Sequence, residues 1–573
     1  MCRSAGGRSA ARARGSLACC GTGLHRKVRI VNREPSTSTR LSGTELDVVV
    51  VGAGIAGLYA LHKFRSQGLT VRVLEAGAGV GGVWYWNRYP GARCDVESVD
   101  YSYSFDDDLQ QEWNWSEKYA AQPEILAYLQ HVAERFDLYR DIEFGTRVTD
   151  IELDVPTLRW TVRADTGLEL SARFVVLATG PLSNANTPAI PGLESFAGQV
   201  LHTSTWPHAG VDLAGQRVGV IGTGSSGIQA IPHLAAAAER LTVFQRSANY
   251  SVPAGNTALD DETRRRQKAG YPQRRRLSMH SGGGSPHLAH EKSALELSDA
   301  ERRAAYEERW KLGGVLFSKT FPDQLSDPAA NETARLFWEE KVRAVIDDPE
   351  VARVLIPRDH PIGTKRICTD TGYYQTYNRD NVELVDLKAA PIDRIDATGV
   401  HTTARHYPLD TLVLATGFDA MTGSVARMNI VGRDGVTLNE AWREGPKTYL
   451  GLGVTGFPNL FPLTGPGSPS VLANMVLHSE LHVDWVADAI AYLDAGGATA
   501  LEARPEAVAD WVAECSERAA GTLMTQANSW YLGANIEGKP RVFMPFCGGF
   551  GVYGQIIADV AAADYKGFDV IVA

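Results

Sequence analysis

Two copies of a glycine-rich strand–turn–helix unit constrain the fold of this chain more than any other feature. The first copy, Gly52-Ala53-Gly54-Ile55-Ala56-Gly57, follows a β-branched run at residues 46–51 and precedes a helical stretch at 58–66. The second copy, at residues 222–227, follows a similar run at 217–221. In such a unit the first glycine permits a tight turn, the second lets the backbone approach a pyrophosphate, and the third lets helix and strand pack closely. Each copy therefore predicts a dinucleotide bound at a helix N terminus.

The residue that ends the second strand distinguishes the two units. Glu75 lies 23 positions after Gly52, where a carboxylate accepts hydrogen bonds from a ribose 2′-hydroxyl and repels a 2′-phosphate. Arg246 lies 24 positions after Gly222 and brings donors that suit a 2′-phosphate, although an arginine at a solvated strand end would have the same position. We therefore predict FAD at the first unit and NADPH at the second.

The order of strands along the chain predicts how the two units are connected. Strand-like runs at 174–180 and 411–417 both end in Ala-Thr-Gly and bracket the second unit. The predicted fold class is α/β, with two Rossmann-like domains, the NADPH domain being inserted in the FAD domain. The expected boundaries are 45–185 for the first part of the FAD domain, 186–404 for the NADPH domain with a helical insertion at about 255–355, and 405–573 for the second part of the FAD domain.

The helical insertion has recognisable helix ends. Ser298 followed by Glu301 is a capping box, and Gly313 is a C-terminal stop, so a helix is predicted over 299–312. Asp327 before Pro328 predicts the start of another helix. The sequence leaves open whether these helices form a wall of a substrate pocket or serve core packing alone.

Composition excludes several classes of protein. The chain has 573 residues, 22% of them charged, and a formal net charge of −10, which argues against nucleic-acid binding. No stretch approaches the roughly 18 uninterrupted apolar residues of a membrane helix. The seven cysteines are odd in number and form no C-x-x-C, which argues against a disulfide framework or a zinc site and favours a reducing compartment, the cytoplasm. We expect no metal site, and the sequence does not determine the oligomeric state.

Residues 1–44 differ from the rest of the chain. They carry nine arginines or lysines against one acidic residue. This composition resembles an organelle transit peptide, but it lacks the apolar core of a secretory signal. We expect a disordered basic extension, or a start codon assigned too early, outside the fold.

A flavin together with NADPH is compatible with disulfide reduction, electron transfer or oxygen insertion. A disulfide reductase needs two cysteines a few residues apart beside the flavin, and the matching stretch holds only Cys94. Disulfide reduction is therefore excluded.

The segment between the two units carries a family resemblance. Residues 196–207 read F-A-G-Q-V-L-H-T-S-T-W-P, which resembles the F-x-G-x-x-x-H-x-x-x-W fingerprint of Baeyer–Villiger monooxygenases. Flavin monooxygenases that oxidise nitrogen or sulfur have a similar run that usually ends in Phe or Tyr, so Trp206-Pro207 favours the Baeyer–Villiger branch. Taken alone, His202 reads as a linker histidine. The resemblance implies a structural or coupling role for it between domains, not one in acid–base catalysis.

The resemblance extends over residues 45–573 and is greatest to the steroid monooxygenases of the family. It includes G-G-V-W-Y-W-N-R-Y-P-G-A-R-C-D at 81–95, G-T-K-R at 363–366, T-G-P-G-S-P-S at 464–470 and N-S-W-Y-L-G-A-N at 528–535. It implies oxidation of a bulky apolar ketone, such as a 20-keto steroid, to an ester or lactone by NADPH and O₂ through a C4a-peroxyflavin. Macrocyclic, aryl or terpenoid ketones, or sulfides, are the alternative substrates. A non-catalytic redox sensor is the alternative of another class.

The resemblance also implies the site residues. The family's active-site arginine falls on Arg366 and its orienting carboxylate on Asp95; a fixed cation there would lower the pKa of the flavin peroxide and stabilise the oxyanion after attack. Lys365 is expected to join Arg246 on the 2′-phosphate, and Trp530 to bind NADP. The residues expected in catalysis are Arg366, Asp95, Trp530 and His202. Those expected to bind FAD are Gly52, Gly54, Ala56, Gly57, Glu75, Gly82, Trp84, Trp86, Asp95, Tyr101 and Met475. Those expected to bind NADP are Gly222, Thr223, Gly224, Ser225, Ser226, Gly227, Gln229, Arg246, Ser247, Lys365, Arg366 and Trp530.

Overall fold

The structure, a computed structural model, describes residues 43–572. The predicted basic extension lies, apart from its last two residues, outside the described residues. Among residues 43–572, no helix is both long enough and apolar enough to cross a bilayer.

The first sheet contains the strand of the first glycine-rich unit at its centre. Glu45–Val51 pairs in parallel with Val71–Glu75 on one side and with Glu169–Leu177 on the other. Its valines are buried because apolar clusters cover both faces, as a continuous β-branched run predicts. Val48 and Val50 pack with the helix Ile55–Ser66, whereas Val49 and Val51 pack with the strands Val148–Asp154 and Arg159–Ala164. The order across the sheet is Asn429–Val431, Val148–Asp154, Arg159–Ala164, Glu169–Leu177, Glu45–Val51, Val71–Glu75 and Ile142–Phe144, with Leu460–Pro462 also paired to Glu169–Leu177.

The second sheet is wholly parallel and contains the second unit. Its order is Val382–Asp386, Arg240–Gln245, Arg217–Ile221, Thr411–Leu414 and Gln199–His202. Thr411–Leu414 lies between Arg217–Ile221 and Gln199–His202, so the chain is still in this sheet after residue 405. Leu414, the last residue of this strand, lies about ten residues after the boundary predicted at 405. The segment that precedes it forms a small antiparallel sheet beside the second sheet.

Three small sheets complete the strands. They are Ser251–Pro253 with Cys368–Asp370; Ile392–Asp396 with Gly399–Thr402 and His406–Pro408; and Ala500–Ala503 with Phe568–Ile571.

Both helices that the sequence predicts in the insertion are present in the structure. Asp299–Leu312 begins at the Ser298–Glu301 capping box and ends at Gly313, whose φ is +72°. Pro328–Arg343 is capped by the Asp327 side chain. The other α-helices are Ile55–Ser66, Val83–Trp86, Asp107–Glu112, Gln122–Arg135, Ser225–Ala237, Asp261–Met279, Pro349–Leu355, Tyr373–Thr376, Leu438–Ala441, Met475–Gly496, Pro505–Ala520 and Phe550–Ala562.

The C-terminal part of the chain packs back on the first sheet. Met475–Gly496 lies against Ile55–Ser66, and the Tyr59 hydroxyl donates a 2.7 Å hydrogen bond to Asp484 Oδ1. This packing places Met475, at the N terminus of its helix, beside the apolar core of the first unit.

Candidate active site

The first glycine-rich turn has the close contacts that its sequence predicts. Gly52 has φ +104°, and a Cβ there would lie 2.7 Å from the Ala178 carbonyl oxygen. A Cβ at Gly57 would lie 1.8 Å from the Gly52 carbonyl oxygen, so only glycine allows helix and strand this close. Gly54 precedes the helix, and no side chain caps that helix terminus within the described chain. Its first N–H groups are therefore available to an anion.

Glu75 is buried at the end of the second strand. Its carboxylate accepts hydrogen bonds from the N–H groups of Ala53, at 2.7 Å, and Gly77, at 2.6 Å. The acid thus fixes the glycine-rich turn itself, and its contact with a ribose stays a prediction.

Trp84 and Tyr101, predicted to line the flavin, are joined to each other. The indole N–H of Trp84 donates a 3.1 Å hydrogen bond to the Tyr101 hydroxyl, and both side chains are buried. Burial raises the pKa of Tyr101, so its hydroxyl stays protonated. Gly82 lies so close to Gly54 that a Cβ at Gly82 would come within 3.0 Å of the Gly54 Cα. Gly82 is therefore next to the first turn, and the Gly81 N–H donates to the Ala53 carbonyl at 3.0 Å.

The second glycine-rich turn repeats this geometry with one instructive difference. Gly222 has φ +111°, and a Cβ at Gly227 would lie 2.3 Å from the Gly222 carbonyl oxygen. A Cβ at Gly224, by contrast, would meet no atom within 4 Å. Open space at an uncapped helix N terminus is what a pyrophosphate requires. The second turn therefore fits a dinucleotide.

Other predicted NADP residues have partners of their own. The Ser225 hydroxyl lies 3.2 Å from the Cys368 sulfur, and the Thr223 hydroxyl donates to the Ser247 carbonyl at 3.1 Å. The Gln229 amide accepts from the Tyr89 hydroxyl at 2.8 Å and donates to the Arg93 carbonyl at 3.1 Å. Gln229 thus attaches the NADP helix to the segment leading to Asp95, which is a structural role that its sequence position did not indicate.

Arg246 and Lys365 come together although 119 positions separate them in the sequence. Burial lowers the pKa of Lys365, and the positive charges of Lys388 and Arg246 lower it as well. The negative charge of Asp359 opposes this shift. Arg246 is exposed at the end of its strand. Two cations that repel each other in this way form a suitable receptor for a 2′-phosphate.

Asp95 and Arg366 form the central ion pair of the site. Arg366 Nε and Nη2 donate to the two carboxylate oxygens of Asp95 at 2.6 and 2.8 Å, and Nη1 donates to the Val471 carbonyl at 2.7 Å. Arg366 comes from the segment that follows the helical insertion, whereas Asp95 and Val471 come from the parts of the chain on either side of the second sheet. The guanidinium of Arg366 thus connects the segment after the helical insertion to the parts of the chain that precede and follow the second sheet in the sequence.

The pair shifts both pKa values towards the charged forms. Burial alone would raise the pKa of Asp95, but the Arg366 charge and its hydrogen bonds hold it below the ordinary 3.8. Burial alone would lower the pKa of Arg366, but the charge and hydrogen bonds of Asp95 outweigh burial and raise the pKa of Arg366. Both groups therefore stay ionised over the whole working range of pH.

Two residues beside Arg366 were not predicted from the sequence. The Tyr531 hydroxyl lies next to the guanidinium, and burial raises its pKa to about 12 although the Arg366 charge opposes this. Burial and the Arg366 charge both lower the pKa of Lys319, which comes from the helical insertion. Tyr531 had a signal, since it follows Trp530 in the N-S-W-Y-L-G-A-N run, but Lys319 lies in no motif.

An apolar cluster adjoins the Arg366 guanidinium. Three of the chain's seven methionines are buried in it, and a fourth, Met475, packs against it as Trp530 does. The Trp530 and Tyr531 rings are 4.4 Å apart, and the contact of Trp530 with NADP stays a prediction. The methionines are Met421, Met475, Met524 and Met544. Methionine is flexible and polarisable, so such a surface adapts to large apolar molecules.

Two residues of the cluster region have unusual backbone conformations. Met421 has φ +69° and Ser470 has φ +45°, and the Ser470 hydroxyl lies 3.6 Å from the Met421 sulfur. Ser470 directly precedes Val471, the backbone partner of Arg366. Strained residues of this kind persist where the surrounding structure fixes them, commonly at functional sites.

His202 contacts both segments that connect the two sheets. Its Nε2 lies 3.4 Å from the Asn186 carbonyl oxygen and 3.3 Å from the Thr416 hydroxyl, and its Nδ1 accepts the Ser204 N–H at 3.1 Å. Burial lowers the pKa of His202, which favours the neutral ring. The coupling role between domains that the resemblance implies for His202 stays a prediction.

The cysteines offer no redox pair in the described part of the chain. Cys94, Cys368, Cys515 and Cys547 are free. Burial raises the pKa of Cys94 and raises that of Cys368 to about 12, so both thiols stay protonated. Dithiol chemistry is therefore not supported.

Comparison with known proteins agrees with this geometry. A family model described as pyridine nucleotide-disulphide oxidoreductase matches residues 49–305. A Baeyer–Villiger monooxygenase of Pseudooceanicola batsensis is 41% identical over 532 residues, covering 92% of this chain and 97% of that protein. A phenazine N-monooxygenase of Lysobacter antibioticus is 41% identical over 530 residues, with 92% and 97% covered.

Solved structures extend the comparison to three dimensions. An oxidised steroid monooxygenase bound to NADP has a TM-score of 0.90 and 71% sequence identity, covering 92% of this chain and 100% of that one. The similarity thus includes both sheets and the segments between them.

Proposed function

This chain belongs to the Baeyer–Villiger monooxygenase family, and we propose that it oxidises a bulky, steroid-like ketone to an ester or lactone. It is an FAD-containing, NADPH-dependent enzyme that uses O₂. The observation that carries the proposal is the guanidinium of Arg366, held by Asp95 at the border of an apolar, methionine-rich cluster.

The two glycine-rich turns would hold the two cofactors. The first turn, with Glu75, Trp84 and Tyr101, would hold FAD, and the second turn, with Arg246 and Lys365, would hold NADPH. When bound, the flavin accepts a hydride from NADPH and then supplies activated oxygen to the ketone.

Arg366 would stabilise negative charge at the reacting oxygen atoms. Its guanidinium cannot lose a proton in a protein, so it presents a constant charge. Asp95 takes two of its donors and Val471 a third, which fixes the cation without neutralising the site by proton transfer. A preorganised cation of this kind stabilises a developing oxyanion without having to reorganise.

The surrounding side chains would exclude water. The Trp84 indole N–H donates to the Tyr101 oxygen, so the only polar group of the tryptophan is satisfied and its ring is otherwise apolar. Exclusion of water protects activated oxygen from decay to hydrogen peroxide.

The cluster beside Arg366 favours a large apolar substrate. Its methionines change rotamer easily, so the cluster can adapt to a steroid skeleton. The steroid monooxygenase at 71% identity supports the same substrate class. The phenazine N-monooxygenase at 41% identity favours a second candidate, oxidation of a heteroatom. Macrocyclic, aryl and terpenoid ketones stay alternatives to the steroid.

A substrate panel tests the proposal. Purified enzyme with NADPH and ¹⁸O₂ is offered a 20-keto steroid, a macrocyclic ketone, an aryl ketone, a sulfide and a phenazine. We expect the 20-keto steroid to give an acetate ester carrying one ¹⁸O atom, by mass spectrometry, with the highest kcat/KM. Label found only in an N-oxide or sulfoxide would refute the proposal in favour of heteroatom oxidation.

We further propose a cytoplasmic location and a small-molecule partner alone, with no nucleic acid. The free cysteines of the described region and the acidic net charge support both statements.

A further inference from the structure

A small antiparallel sheet beside the second nucleotide-binding sheet brings two histidines and an aspartate to one face. Its strands are Ile392–Asp396, Gly399–Thr402 and His406–Pro408. His401 and His406 are direct cross-strand partners. Asp396 pairs with Gly399, two residues before His401, so the three side chains share a face.

The donor atoms of these side chains converge. His401 Nε2 lies 2.5 Å from Asp396 Oδ2, and the rings of His401 and His406 stack with centroids 4.2 Å apart at 20°. One ligand atom from each residue lies within 4.8 Å of the other two. Thr398 supplies a hydroxyl 3.1 Å from His406 Nε2 and donates to Asp396 Oδ1 at 2.7 Å.

We propose that Asp396, His401 and His406 bind a first-row divalent metal ion, with Zn²⁺ as the occupant. Two imidazole nitrogens and a carboxylate oxygen are ligands that zinc prefers, at bonds of about 2.0–2.2 Å. The ion takes the place of the proton that His401 shares with Asp396. Small rotamer changes bring the third donor to bonding distance, and water completes a tetrahedral set. Thr398 orients the carboxylate from outside the coordination sphere.

The neighbouring cations do not compete for this carboxylate, because they have their own partners. Arg394 forms a 2.8 Å ion pair with Asp393. Arg405 pairs with Glu383 and lies over the Tyr407 ring. In the part of the chain that the structure describes, the hydrogen bonds of the Asp396 carboxylate go to Thr398 and His401 only.

The bound ion has a structural consequence, because the sheet holds the linker that leads to the fingerprint segment. The Ile395 N–H donates to the Pro191 carbonyl at 2.8 Å, and the Ala197 N–H donates to the Ala397 carbonyl at 3.2 Å. A Cβ at Gly192 would lie 2.1 Å from the Ile395 carbonyl oxygen, so linker and sheet are in close contact. A metal that joins all three strands would therefore stiffen the support of the linker.

Isothermal titration with ZnCl₂ tests the proposal on the full, FAD-loaded chain without a histidine tag, after treatment with a chelator. The variants are His401→Gln, His406→Gln and Asp396→Asn, and His290→Gln is the matched control, since His290 is an exposed histidine outside the cluster. We expect wild type and control to bind one more equivalent of Zn²⁺ than the variants, or to bind it at least about tenfold more tightly. Zn²⁺ should also raise the Tm of wild type and control above that of the variants.

The FAD content and the Tm without metal show whether each variant is folded. As a second measurement, Cu²⁺ bound to wild type should give an electron paramagnetic resonance spectrum with nitrogen couplings from two imidazoles, and each histidine variant should lose one. The variants also separate this site from the cysteines of residues 1–42, which they leave unchanged. Equal Zn²⁺ affinity and stoichiometry in wild type and all three variants, or no Zn²⁺ binding by wild type, would overturn the proposal.

Discussion

Replacing Arg366 by methionine tests the central role that we propose for this residue. The change removes a guanidinium that makes two hydrogen bonds to Asp95 and one to Val471, while it keeps a long side chain in place. It leaves the two glycine-rich turns intact, so FAD should stay bound in stoichiometric amount.

The expected loss is large for the oxygen-transfer step and moderate for stability. Removal of one preorganised donor to a developing oxyanion typically costs about 3 kcal/mol, or 10²–10³ in rate. Breaking a buried ion pair costs about 3–5 kcal/mol, but Arg366 and Asp95 are 25% and 23% exposed, so we expect about 1–3 kcal/mol in unfolding free energy.

The loss of stability has a defined pH dependence. The folded-state pKa of Asp95 lies below 3.8, so its contribution is fully present above that value and is lost as the pH falls through the folded pKa. The difference in unfolding free energy between wild type and R366M should therefore shrink in acid and be largest at neutral pH.

The assay separates hydride transfer from oxygen transfer. Flavin reduced chemically, in the presence of NADP⁺, is mixed with O₂ and ketone, and ester and hydrogen peroxide are counted per flavin reoxidised. R366M should convert nearly all of the oxygen to hydrogen peroxide, whereas wild type gives ester.

Arg217→Met is the matched control. Arg217 binds Asp410 through the same two donors, Nε at 3.0 Å and Nη2 at 2.7 Å, but it is exposed, at the N-terminal end of the central strand of the second sheet. It should change stability by less than about 1 kcal/mol and leave the ester yield unaltered. An R366M enzyme that still gave wild-type ester yield per flavin would refute the reasoning.

Three further predictions concern the NADPH side of the molecule. Gly224→Ala adds a methyl group in open space, so this variant should keep the wild-type Tm but bind NADPH weakly in a fluorescence titration. Gly227→Ala creates a 2.3 Å contact, so this variant should have a lower Tm. Equal Tm and equal NADPH affinity in the two variants would contradict the assignment of the open space to NADPH. Arg246→Gln with Lys365→Gln should raise the KM for NADPH by roughly tenfold to a hundredfold and leave that for NADH unchanged, because a charge-assisted hydrogen bond contributes about 1.5–3 kcal/mol; a parallel rise for NADH would count against phosphate recognition. Burial lowers the pKa of His202, so its neutral form contributes stability that is complete above 6.5 and is lost as the pH falls through the folded pKa. His202→Asn should therefore lose less unfolding free energy than wild type between pH 7 and pH 5 in urea melts, and parallel pH profiles would contradict this.

The local chemistry of the two nucleotide sites follows from the order of residues along the chain. Each glycine-rich turn lies between a strand and a helix that are contiguous in the chain, so the contacts of Gly57 with Gly52 and of Gly227 with Gly222 follow from local spacing. The same holds for the helix at 299–312, whose capping residues are three positions apart. Asp95 and Arg366 were identified only because motifs of a known family include them.

The contacts between distant segments became visible in three dimensions alone. The tertiary structure placed Thr411–Leu414 in the second sheet, because a short β-branched strand pairs according to its neighbours in space rather than in sequence. It set Tyr531 and Lys319 beside Arg366 and gathered four methionines in and against one cluster. It also aligned His401 with His406, since cross-strand register depends on a turn whose geometry the residue pattern did not reveal. Pair contacts over long sequence separations are fixed by packing of the whole core, and no local pattern encodes them.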